Sequence, residues 1–188
     1  MKHSHPFEWL SIEAQKRAFV VLLISTLAIM GGLRVFDGHL KTEAAPNGIV
    51  SFEFAGNLTN ARHIIASWGP KGNLFAGLSL GLDFLFLFSY AGAIGIGCVM
   101  AARGLSQRVK TFSLLGAPLA WGQFFAALLD AFENVGLIRV LLGAESELWP
   151  SLAFWCAIPK FFIVAAGLLY LVVSVLLLMI RKPREESS

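Results

Sequence analysis

Charge is scarce in this chain. Of 188 residues, 14% are charged and 56% are apolar. Ordinary soluble domains carry about 25% charged residues. So little charge cannot coat a water-facing surface of this size, which argues strongly against a soluble enzyme with a water-facing helical coat. The apolar content excludes a disordered chain. Cysteine is scarce too, with only Cys98 and Cys156. They fall near opposite ends of two apolar runs, so a disulfide between them is excluded by geometry. Both read as small buried apolar residues. None of the four histidines (His3, His5, His39 and His63) lies within an apolar run. A membrane b-haem therefore lacks axial ligands. There is no H-E-x-x-H motif, no cysteine pair at zinc spacing and no glycine-rich phosphate loop. No cofactor is indicated. No arginine ladder suggests voltage sensing.

What the chain has is long apolar runs, at Ala18–Leu33, Leu74–Ala102, Phe112–Leu142 and Leu152–Ile180. A bilayer crossing takes about 20 residues. The sequence predicts an all-α, polytopic membrane protein. It forms one domain over residues 1–188, a four-transmembrane-helix bundle with spans at about 18–36, 74–102, 110–142 and 150–181. The net charge of +3 marks topology rather than nucleic-acid binding. Lys2, Lys16 and Arg17 precede the first span; Arg103, Arg108 and Lys110 fill the second loop; Arg181, Lys182 and Arg184 follow the last span. The positive-inside rule puts both termini and the second loop in the cytoplasm. The N-terminus has no small-residue cleavage site and reads as a retained helix. Phe7–Arg17 is mildly amphipathic and is expected to lie on the inner face.

The outer loop, residues 37–73, is too long for a plain linker. Gly48–Ala55 reads as extended chain. Asn57 is a suitable N-cap for a short extra helix with Leu58, Ala61, Ile65 and Trp68 on one face. Gly69-Pro70 is expected to end that helix, with Trp68 at the membrane interface. Small residues at four-residue spacing, such as Ser89, Ala93, Gly97 and Ala101, predict close helix packing. Trp149 and Trp155 fit an aromatic belt.

The few ionisable residues within the runs stand out. They are Asp83 on the second span, Asp130, Glu133 and Arg139 on the third, and Lys160 on the fourth. Each is costly in hydrocarbon and needs a partner or water. Asp83, Asp130 and Lys160 each lie about 20 residues from a cytoplasmic base, or roughly 30 Å along a helix. Three helices thus place charge in one layer near the outer boundary. By helical phase Gln123, Asp130 and Asn134 share a stripe with Glu133 beside it. Tyr90 lies seven residues from Asp83 and is expected to floor the same cavity. Glu53, on the outer loop, is expected to cap it. Arg139 points away and anchors at the interface. Pro159 frees the carbonyl of Trp155 and is expected to open space beside Lys160.

Several readings of this layer compete. It can be an internal ion-pair network that fixes helix register. It can be an outward-facing polar cavity that binds a lipid-like amphiphile or docks a partner subunit or second copy, without catalysis. It can be an enzyme site in which Asp130 and Glu133 act as acid and base or hold a divalent cation, with Asp83 completing the site. It can be a proton relay in a dimeric transporter. Three acids against one lysine leave surplus negative charge under every reading.

The segments Ser51-Phe-Glu-Phe-Ala-Gly, Leu82-Asp-Phe-Leu-Phe and Leu129-Asp-Ala-Phe-Glu-Asn resemble those of small uncharacterised bacterial four-helix integral membrane proteins. The resemblance covers most of the chain. It implies a bacterial cytoplasmic membrane and no particular activity.

Overall fold

The computed structural model describes residues 4–180. Lys2, His3, Arg181, Lys182 and Arg184 lie outside the described residues. The described chain is all-helical, in the order α1 (Ile12–Asp37), α2 (Ile49–Glu53), α3 (Leu58–Leu105), α4 (Lys110–Ser113), α5 (Gly116–Leu141) and α6 (Leu148–Met179). Four of these helices, counting α4 and α5 together, are long and apolar enough to cross a membrane.

Local chemistry sets the helix ends. Ser11 caps α1, its Oγ accepting from Ala14 N at 3.2 Å. Asn57 caps α3 as expected, its Oδ1 accepting from Asn60 N at 2.8 Å. Glu147 adds a second cap, taking the Leu58 N–H at 2.9 Å. Its charge favours the positive end of the helix dipole.

The first loop departs from its sequence reading in two ways, at residues 49–53 and at Trp68. Residues 49–53 form the helix α2, not extended chain. Asp37 provides the missing signal, because its Oδ1 accepts from Ile49 N at 2.9 Å and caps α2 from the end of α1. The helical stretch after Asn57 breaks at Gly69-Pro70, as its sequence predicts, because Gly69 leaves helical dihedrals. Gly69 turns the chain through φ 62°, a conformation glycine adopts freely, and helix resumes at Pro70. Trp68 does not lie at an interface. It is buried, with its Nε1 donating to Leu40 O at 2.6 Å and its indole edge-on to Phe52.

α3 is central, packing against α1, α5 and α6, while α5 also packs on α6. Its most apolar stretch is 67% buried, against 0% for α1. The small-residue stripe does the expected work. Ser89, Ala93 and Gly97 are buried, and Gly97 faces Leu171 and Phe19. On α5, a methyl group on Gly116 would lie 2.6 Å from Cys98 O, so the two backbones meet there. Cys98 and Cys156 are free and buried. Leu85 and Phe88 point outward at 60% and 73% exposure. Gln15 Nε2 donates to Phe7 O and Leu10 O, and Gln15 Oε1 accepts from Arg103. Phe7 is consequently buried against Gly95 rather than lying on a membrane face.

Two apolar clusters result. One, at the end carrying the first loop, contains Leu40, Phe52, Trp68, Leu80 and Leu137. The other, toward the end carrying Arg103, contains Phe7, Leu87, Ile94, Val99 and Tyr170. By position along α3, α5 and α6, the ionisable side chains fall between them.

Candidate functional site

Lys160 is the hub of that layer. Its Nζ donates to Asp130 Oδ1 at 3.0 Å and to Glu133 Oε1 at 2.9 Å. It lies 2.8 Å from Glu133 Oε2. The Lys160, Asp130 and Glu133 side chains are 8%, 5% and 0% exposed. Asp130 and Glu133 stand three residues apart on α5 and share one face, so one ammonium can span both carboxyls. Tyr90 completes the shell by donating its O–H to Asp130 Oδ2 at 2.9 Å. Asn134, one residue after Glu133, donates to Asp83 Oδ2 at 2.7 Å.

Gln123 is fully buried and donates to Ile163 O at 3.1 Å. A side chain at Gly167 would collide with its amide, so that glycine makes room for it. Gln123 thus pins α5 to α6 and stands apart from the Lys160 cluster. Arg139 sits over the Trp149 ring at 5.1 Å, as its outward phase predicts.

A cavity of about 440 Å³ opens beside this cluster, between α1, α2 and α3. Its walls are mainly apolar, with Met30, Leu33, Ile49, Val50, Leu80 and Phe86. Of the residues expected from sequence to form the site, Asp83, Asn134 and Glu53 line it. Asp130, Glu133 and Lys160 do not line it, because their charges are spent on one another. Tyr90 does not floor it either, since its hydroxyl turns to Asp130. Pattern reading missed Arg34, Asp37 and Lys41, which also border the cavity. Asp37 and Lys41 fall in the first loop or at its edge, where no periodicity gives a direction.

Glu53 joins the two parts of the site. It lines the cavity, and its carboxyl lies beside that of Glu133. Its Oε2 is closed off from solvent and, apart from the neighbouring Glu133 carboxyl, has no hydrogen-bond partner among the described residues. Burial pushes the Glu53 carboxyl above its ordinary value of 4.5; Lys160 pulls it down, while Asp130 and Asp37 add to the rise. The folded state therefore holds this proton more tightly than the unfolded chain. The stability this proton supplies is present at low pH. It is lost as pH rises from 4.5 through the raised folded value. Amide exchange in residues 49–53, corrected for intrinsic rates, is expected to accelerate as pH climbs through that window. Glu53→Gln is expected to flatten the dependence. Equal slopes in both proteins would show that Glu53 does not hold α2 down.

Comparison with known proteins gives no match to any family model, curated protein or solved structure. Function is therefore argued from the site itself.

Proposed function

We propose that this chain is a four-helix integral protein of a bacterial cytoplasmic membrane that binds a lipid-like amphiphile in its cavity, without catalysis. Both termini would be cytoplasmic, and α2 with its loop would face outward. The concentration of Lys16, Arg17, Arg103, Arg108 and Lys110 at one end supports that orientation.

The cavity carries the proposal. Its apolar walls end on a polar edge of Asp83, Asn134 and Glu53. Such a pairing of apolar wall and convergent polar groups is typical of small-molecule sites. Met30 and Val50 line it and are themselves 42% and 37% exposed. The apolar wall thus reaches the surface that would meet lipid, as an acyl chain requires.

Native mass spectrometry of gently purified protein tests this. A retained amphiphile of defined mass is expected. Val50→Trp, which adds bulk at the exposed edge, is expected to reduce its occupancy about tenfold, the weight of roughly 1.4 kcal/mol. The melting temperature should be unchanged. A retained polypeptide in place of an amphiphile would assign the cavity to a partner subunit. Bare protein under all extraction conditions would sink the proposal.

A further inference from the structure

The identity of the head group can be taken one step further, on the basis that the cavity binds an amphiphile at all. Four carboxyl groups, Glu53, Asp83, Asp130 and Glu133, gather around a single ammonium, Lys160. Lys160 is committed to Asp130 and Glu133. Neither Glu53 nor Asp83 forms a salt bridge among the described residues. Both line the cavity. Asp83 receives one hydrogen bond, from Asn134 on Oδ2, and none on Oδ1. Glu53 Oε2 is sealed beside the Glu133 carboxyl, whereas Oε1 is not sealed and receives no hydrogen bond among the described residues. Sheltered carboxyls that lack donors are expensive, and a ligand that brings N–H donors removes that cost.

We propose that the cavity selects a cationic amphiphile, a protonated alkylamine whose ammonium group lies between Glu53 and Asp83 with its chain along Met30 and Phe86. An ammonium has three donors and suits two carboxyls that border one cavity. A bare metal ion suits the site less well. No group of three His, Cys, Asp or Glu side chains among the described residues is arranged to hold one. The competing attraction for anions comes from Arg34 and Lys41. Both are exposed, so water and salt screen them. Glu53 and Asp83 are more sheltered, so a cation placed between them is screened less and favours their ionised forms.

Three probes of one chain length separate the possibilities: dodecylamine, dodecanol and dodecyl phosphate. Each is titrated into the full-length protein in phosphatidylcholine nanodiscs, with bound copies counted by native mass spectrometry. Dodecylamine is expected to saturate at one copy, at least about tenfold tighter than dodecanol, as charged hydrogen bonds imply. Dodecyl phosphate is expected to bind weakest. Asp83→Asn combined with Glu53→Gln should bring the amine down to the level of the alcohol, while Arg34→Gln should not weaken it. The wild-type ranking decides the head-group class even if the double variant folds poorly. Equal binding of all three probes, or preference for the phosphate, would overturn the cationic class and leave the amphiphile reading standing. No saturable binding of any probe would remove both.

Discussion

Lys160→Met is expected to destabilise the protein by about 3–5 kcal/mol, the cost of leaving buried charge without its partner. The substitution preserves length and apolar stem, so packing changes little. What it removes is the ammonium that serves Asp130 at 3.0 Å and Glu133 at 2.9 Å. Those side chains are almost fully enclosed, and no other base pairs with them among the described residues. Thermal unfolding in detergent, followed by intrinsic fluorescence, measures the loss. The decisive comparison is the triple variant Lys160→Met, Asp130→Asn, Glu133→Gln. Replacing charges and partner together removes the uncompensated groups, so most of the lost stability should return. If the triple variant is no better than the single one, the cluster holds the helices by shape rather than by charge pairing.

The triple variant also separates structure from function. Asp83 and Glu53 keep their places on the cavity wall when Lys160 is neutralised. A stable triple variant that still retains its amphiphile would assign the buried trio to register and the cavity pair to binding. The layer would then do both jobs that its surplus negative charge suggested, with different residues for each.

Much of this arrangement was legible in the sequence because helices are regular. Counting residues from the basic anchors put Asp83, Asp130 and Lys160 at one height, and the side chains of Asp130 and Lys160 meet. Helical phase placed Asn134 with Asp130 and turned Arg139 away. Phase could not say which partner each group would choose. Tyr90 was on the right face but satisfies Asp130 instead of lining the cavity, a choice set by side-chain reach. The first loop was the least legible part. Its alternation of Val50, Phe52 and Phe54 mimics a strand. The helix there depends on Asp37, twelve residues upstream, capping Ile49. Gly48 holds φ 58° directly against that carboxylate, where a side chain would collide with it. A non-local cap leaves no local pattern. Trp68 was misplaced for a related reason. Tryptophan near a predicted membrane end suggests an interface, yet its indole N–H found the Leu40 carbonyl inside the loop.

Trp68→Ala is accordingly expected to cost about 3–5 kcal/mol, the range for deleting a large buried aromatic. The loss should fall unevenly. The indole covers Phe52 of α2 at 5.3 Å between ring centres and holds the Leu40 carbonyl at 2.6 Å. Removing it strips the first loop of a packing partner and leaves a buried carbonyl without its donor. The four long helices keep their own contacts, including those of Lys160. Hydrogen exchange resolved by segment should therefore show the largest gain in residues 40–55 and little change in α5 and α6. Because Ile49, Val50 and Glu53 form one wall of the cavity, amphiphile retention should fall with the loop, even at temperatures where the helices stay folded. Trp68→Phe keeps a six-membered aromatic ring but loses the pyrrole ring with its N–H, and it should give an intermediate result. Uniform exchange across the whole chain would instead mean that loop and helices unfold as one unit. The cavity could then be opened only by dismantling the protein.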